Sequence, residues 1–194
     1  MSALPKIPIR MTVAEFFAWN PPSPQLWQLV DGEPQAMAPP NHTHGAIQAE
    51  LARLIGNTLG ERGSPCHVVV TPGVIPRVQS ETNVRIPDLA VTCSGYDAEE
   101  SALANPILLI EILSPSNQAE TWANVWAYTT IPSVQEILVL KTASIGAELL
   151  RRNQDGSWPS KPLTIETGEL TLESIGFGIP LAAAYRTTRL ATNK

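Results

Sequence analysis

The stretch Pro106-Ile-Leu-Leu-Ile-Glu-Ile-Leu113 constrains the fold of this chain more than any other. It is closed by Pro106 on one side and Ser114-Pro115 on the other, which holds it to strand length rather than helix length. A run that is apolar at nearly every position has no solvated side, so it predicts a central strand covered on both faces. Covering both faces takes helices or a second layer, which points to a mixed α/β arrangement around one sheet. Glu111 alone interrupts the run. An ionised carboxylate in such a strand costs several kcal/mol unless a cation or hydrogen-bond donors compensate it.

The flanking sequence supplies the other elements. Thr12 with Glu15 three residues later has capping-box spacing and predicts a short helix, stopped by Asn20-Pro-Pro-Ser-Pro24. Asp31-Gly32 between Leu26–Val30 and Glu33–Ala38 predicts a hairpin with a type I′ turn, its second strand an edge because of Pro34. Ile47, Leu51, Leu54, Ile55 and Leu59 share one face of a helix predicted over about 43–62. Strands are expected at Cys66–Thr71, Val74–Val78, Leu89–Cys93, Val134–Leu140, Gly146–Arg152 and Leu170–Ile175. A loop is expected over 94–105, a helix over Gln118–Thr129 capped by Asn117, and a short helix over Leu181–Tyr185. Ile107, Leu109 and Leu113 are expected in the core with Trp126 and Tyr128 over one face. No repeat or linker divides residues 1–194, so one domain is expected.

Composition removes several function classes. Hydrophobic residues make up 43% of the 194 and charged residues 16%, which excludes a disordered polyelectrolyte. No apolar run approaches the ~20 residues of a membrane span, and Met1–Lys6 lacks a signal-peptide layout, so a cytoplasmic protein is expected. Cys66 and Cys93 are the only cysteines; a bridge between them would need an oxidising compartment, and buried thiols are the commoner case. A net charge of −5 argues against bulk electrostatic nucleic-acid binding, though not against an enzyme that grips phosphate through a metal.

Asp88, after Pro87 at the entry of an apolar strand, joins Glu111 as a second carboxylate at an apolar position. On adjacent strands facing one cleft, the two could hold Mg²⁺, with water and a substrate phosphate completing its coordination. Taken singly, Glu111 is as readily a salt-bridged core residue or a strand-end residue reaching water. Arg85 either touches phosphate or pairs with a carboxylate. His44 is either a helix-start histidine or one that orients water or phosphate or acts as general base. His42 and His44 make a weak zinc pair without a third ligand. The aromatic group Trp122, Trp126 and Tyr128 is read as core or dimer contact, which leaves a homodimer open.

Pro87-Asp88 followed by Glu111-Ile-Leu113 resembles the PD-(D/E)xK signature of restriction-endonuclease-like nucleases. The wider sequence is similar to the Uma-type family of bacterial endonucleases within that superfamily. The likeness runs through Trp27–Glu33, His44, Arg85–Asp88, Leu109–Ser116 and Tyr128. It implies a restriction-endonuclease-like mixed β-sheet flanked by helices, with an N-terminal helix and β-hairpin. It also implies phosphodiester hydrolysis, of DNA first, with Mg²⁺ or Mn²⁺ as cofactor. Asp88 and Glu111 would be the carboxylate ligands, the Ile112 carbonyl a third, and His44 a neighbouring site residue.

Two site positions depart from the family. Gln28 stands where the first hairpin usually carries a glutamate. The motif lysine is replaced by Leu113, and the alternative lysine position, four residues before Tyr128, is Asn124. No lysine occurs between Lys6 and Lys141. The resemblance thus implies a metal-dependent endonuclease slowed at Asn124, which Asn124→Lys is expected to speed. The other reading is a nuclease-fold protein that has lost part of its site and serves as a binding or assembly module.

Overall fold

The structure, a computed structural model, describes residues 10–95 and 100–191. The chain start Met1–Lys6, part of the 94–105 loop and residues 192–194 lie outside them. Helix α1, Val13–Ala18, begins at a complete capping box. The Glu15 N–H donates to Thr12 Oγ1 at 3.2 Å and the Thr12 N–H to Glu15 Oε2 at 2.7 Å. Strands β1 (Trp27–Val30) and β2 (Glu33–Ala36) pair alone as a hairpin. Asp31 and Gly32 both take positive φ, 51° and 86°, as a type I′ turn demands. A bridge from Leu29 to Val84 ties the hairpin to the segment that precedes Asp88. Helix α2, His42–Glu61, is capped by Asn41, whose side chain accepts the His44 N–H at 2.9 Å.

The main sheet has six strands in sequential order. They are β3 (His67–Val70), β4 (Leu89–Thr92), β5 (Pro106–Leu113), β6 (Glu136–Lys141), β7 (Ala147–Arg151) and β8 (Leu163–Ile165). Only β5 and β6 are parallel. A parallel pair needs a crossover, and helix α3, Gln118–Tyr128, supplies it. A second hairpin, β9 (Glu169–Leu172) with β10 (Phe177–Pro180), and a 3₁₀ turn at Leu181–Tyr185 pack on the α2 side.

Alternation along β5 assigns the faces. Leu108, Ile110 and Ile112 pack with Ile47, Leu51 and Ile55 of α2, while Leu109 and Leu113 pack with Val125 and Tyr128 of α3. The central strand is thus covered on both sides, in a mixed sheet flanked by helices. Several expectations change. Val74–Val78 forms no strand: Pro76 cannot donate to a ladder, and only Val74 pairs, with Arg85. The strand expected at Leu170–Ile175 stops at Leu172, β8 had no clear signal, and the last helix is 3₁₀. Asn117 heads α3 without capping it, turning its side-chain carbonyl to the Ser114 N–H instead. Trp126 is 45% exposed and Ile107 is half-buried, so Tyr128 rather than Trp126 covers β5. The cysteines are not free buried thiols. The pairing of His67 with Thr92 sets Cys66 opposite Cys93, and they are bridged with Cα atoms 3.8 Å apart.

Candidate active site

Register brings Asp88 and Glu111 together. Leu89 pairs with Ile110 in antiparallel β4 and β5, so the next residues outward, Asp88 and Glu111, stand opposite one another. Ala90 and Leu109 pack on the α3 side, and the period of two puts both carboxylates on that side as well. Both are buried, at 9% and 6% exposure. The ladder opens here because β4 starts at Leu89. The Ile112 N–H, which a longer β4 would satisfy, donates instead to Asp88 Oδ2 at 2.7 Å. Gln135 and Thr142 donate to the carbonyls of Ile107 and Leu113, so odd residues of β5 address β6 and even residues address β4. The Ile112 carbonyl therefore points to the same open side as Asp88.

Each carboxylate is held by its surroundings. His44, in the first turn of α2, places Nε2 2.7 Å from Asp88 Oδ1. That contact orients the Asp88 carboxylate. Gln48, one turn further along α2, donates to the Asp88 carbonyl at 2.9 Å, as does the Thr71 N–H at 3.0 Å. Thr71 has φ 49°, a costly conformation for a β-branched residue, directly across from Asp88.

Glu111 lies under α3. Tyr128 Oη donates to Glu111 Oε1 at 2.7 Å. Burial, and after it the Asp88 charge, push the Glu111 carboxyl well above its usual range, while bonds from Tyr128 and Asn124 pull the other way. Burial and Glu111 likewise raise the Tyr128 phenol. Asn124 lies one turn before Tyr128, so the two share a helix face. Its Oδ1 accepts from Arg85 at 3.1 Å, and its Nδ2 lies 3.5 Å from Gln28 Oε1. Gln28 is fully buried and donates to Glu120 Oε1 at 2.8 Å.

All five side chains named from the sequence, Gln28, His44, Asp88, Glu111 and Asn124, thus fall in one connected group, with the Ile112 backbone beside them. Glu120, Gln48 and Asn83 were missed. Glu120 was within reach, since Glu120, Asn124 and Tyr128 recur every four residues on one face of α3. It sets a carboxylate beside Gln28, where the hairpin itself offers only an amide. His42 is exposed and outside the group, and the bridged cysteines offer no thiolate. A cavity of about 470 Å³, walled in part by Phe17, Ile75, Pro106 and Pro132, lies at the opposite end of β5, ~17 Å along the strand.

The donor set suits one kind of cation. Among the described residues no three His, Cys, Asp or Glu side chains gather as a cage. Two carboxylates and a backbone carbonyl remain, all oxygen, which fits a hard ion that keeps several waters. Burial first, and the like charge of Asp88 after it, raise the Glu111 carboxyl, and a divalent ion between the two carboxylates would offset both.

Comparison with known proteins agrees with this architecture. Residues 13–184 match the family described as "Uma2: Putative restriction endonuclease". A curated relative, "Uncharacterized protein slr1290" of Synechocystis sp., is 27% identical over 180 residues, covering 91% of this chain and 92% of its own. The crystal structure of "a putative nuclease belonging to DUF820 from Anabaena variabilis" superposes with a TM-score of 0.71 at 17% identity. It covers 90% of this chain and 97% of that one, a likeness of fold. Among the described residues no helix is long and apolar enough to cross a membrane. With the family match spanning most of its length, this chain belongs to the Uma2 family.

Proposed function

We propose that this protein is a nuclease that hydrolyses phosphodiester bonds, DNA foremost, using Mg²⁺ or Mn²⁺ held by Asp88, Glu111 and the Ile112 carbonyl. The observation that carries this reading is the opposed placement of two buried carboxylates at the end of a strand ladder, beside a backbone carbonyl left without a neighbouring strand. A bound divalent ion polarises a phosphate oxygen and makes a water more acidic. The chain's own groups do the rest. His44 and the Ile112 N–H fix both oxygens of Asp88, each of which keeps a lone pair for a ligand. Tyr128 and Asn124 fix Glu111, and Glu120 places negative charge beside Gln28. Substrate approaches past His44 and Asp88, whose side chains are 11% and 12% exposed.

The discriminating experiment measures Mn²⁺ binding and Mg²⁺-dependent nicking of supercoiled DNA, with single-stranded DNA and RNA alongside and EDTA as control. Wild type should bind the ion and nick; Asp88→Ala should do neither. Ion binding that persists unchanged in both Asp88→Ala and Glu111→Gln removes the metal site from these residues. The protein would then be better described as a nuclease fold used for binding or assembly.

A further inference from the structure

Arg85 is the buried cation that this centre leaves without an anion. It is 7% exposed, on the segment that leads to Asp88. Its guanidinium donates to Asn124 Oδ1 at 3.1 Å and to Asn83 Oδ1 at 3.0 Å, and both acceptors are neutral amides. Its Nε is buried and meets no acceptor among the described residues. Among the described residues no carboxylate lies within ion-pair distance of it, whereas Arg53, Arg151 and Arg186 each close on one. Asp31 and Glu120 act on it only through space, and burial lowers its pKa. A guanidinium removed from water without an anion is unfavourable, and its planar fork matches two oxygens of a phosphate.

We propose that Arg85 is the anion-holding residue of this site, gripping a non-bridging oxygen of the substrate phosphodiester in place of the lysine that Asn124 replaces. Asn124 is its support: Oδ1 fixes the guanidinium while the amide end faces Glu111 and Gln28. The assignment rests on the nuclease reading and deepens it. It also reverses an expectation drawn from the sequence. A lysine at 124 would remove the acceptor of Arg85 and set a second cation against it, so Asn124→Lys alone should lower activity.

The test uses Arg85→Gln, Arg85→Lys, Asn124→Lys and the double variant Arg85→Gln/Asn124→Lys, each checked for a cooperative thermal melt. Two affinities are read: Mn²⁺ for the protein, and a fluorescein-labelled 20-base-pair DNA duplex in Ca²⁺. Arg85→Gln should weaken duplex binding about tenfold, the scale of one charge-assisted contact. It should also tighten Mn²⁺ about twofold to fourfold, because a nearby positive charge is gone. The double variant should recover duplex binding to within about threefold of wild type, since the charge has moved rather than vanished. A purely structural Arg85 predicts that both affinities fall together and that lysine at 124 restores neither; either result overturns the proposal. Duplex binding by Arg85→Gln within twofold of wild type overturns it too, as does a wild type that binds no duplex. If Arg85→Gln does not fold, Arg85→Lys decides. It keeps the charge and loses the fork, so Mn²⁺ affinity should hold within twofold while duplex binding falls about threefold; unchanged duplex binding overturns the assignment. Mn²⁺ binding unaffected by Asp88→Ala would instead count against the metal site, leaving Arg85 to be judged on the duplex.

Discussion

Glu111 and Glu136 are buried carboxylates on neighbouring parallel strands, and they are treated in opposite ways. Glu136 is 1% exposed and shares the α2 side of the sheet with Leu138 and Leu140. It accepts from Arg151 Nε at 2.7 Å, from the Glu173 and Ser174 N–H groups at 3.2 and 2.8 Å, and from Ser174 Oγ at 2.6 Å. Glu111, on the α3 side, has Tyr128 and Asn124, the repulsion of Asp88, and, among the described residues, no cation paired with it. Arg85, two hydrogen bonds away through Asn124, has no carboxylate within ion-pair distance among the described residues. Glu136 is completed by the fold itself. Around Glu111 a carboxyl and a guanidinium are kept apart by an amide, each still lacking its counterion. Such an arrangement costs stability and makes sense where a cation and an anion arrive from outside.

The largest expected effect separates the two glutamates by rate. Glu111→Gln and Asp88→Ala should each lower Mg²⁺-dependent nicking by at least ~10³-fold, the scale of losing a group that stabilises charge in a preorganised site. Glu136→Gln should leave the rate per folded molecule within about threefold. Single-turnover assays on protein corrected for folded fraction check this. Equal losses from Glu111 and Glu136 would dissolve the distinction between them.

Stability should rank the same pair in reverse. Glu136→Ala takes one acceptor from Arg151, which keeps Glu173 and the Thr171 carbonyl, and strands three donors, so it should cost about 2–4 kcal/mol in urea titrations. That lies somewhat below the full penalty for a broken buried pair, because Arg151 is 35% exposed. A loss under about 0.5 kcal/mol would mean that the Glu136 cluster contributes no more than a surface contact.

The contrast also marks what was legible in the sequence. The capping box at Thr12, the Asp31-Gly32 turn and the doubly covered β5 follow from local rules, and the structure contains all three. Asp88 and Glu111 stood out because charge at an apolar strand position is a local anomaly. The Asn124 partner of Arg85 was not legible, since it lies 39 residues away and nothing local distinguishes an amide partner from a carboxylate. Trp126 misled for a different reason. Aromatic content suggested burial, but the buried stripe of α3 runs through Thr121, Asn124, Val125 and Tyr128, and Trp122 and Trp126 flank it. The same stripe, extended back one turn from Asn124, would have shown Glu120.

A smaller effect reads the cost stored at Glu111. Its folded pKa is raised, so in metal-free protein the folded state keeps a proton that the unfolded chain releases above about pH 4.5. This group therefore removes stability as pH rises above that value. Glu111→Gln keeps an acceptor for Tyr128 and ends the repulsion with Asp88. In EDTA it should match wild type near pH 4 and exceed it by about 1–2 kcal/mol near pH 8, the scale seen when buried charges are replaced. A constant difference across that range would show that Glu111 titrates no differently on folding.

The smallest effect concerns Glu50, a third buried glutamate and a second completed one. It meets Arg53 at 2.7 Å and Arg186 at 3.1 Å, joining α2 to the C-terminal turn. Chiefly through the Arg53 bond, its pKa is lowered to about 2. The sign is opposite to that of Glu111. A depressed folded pKa gives stability that is complete above the unfolded value of about 4.5 and is lost as pH falls through about 2. Arg53 and Arg186 are 47% and 63% exposed, so water screens the pair and Glu50→Gln should cost only about 1 kcal/mol at pH 7. That gap should shrink on acidification and close near pH 2; the gap for Glu111→Gln also shrinks on acidification but has the opposite sign, the variant being the more stable protein at high pH. Thermal melts of both variants beside wild type from pH 2 to 8 give the two slopes. If both have the same sign, Glu50 and Glu111 are not the completed and open carboxylates described above.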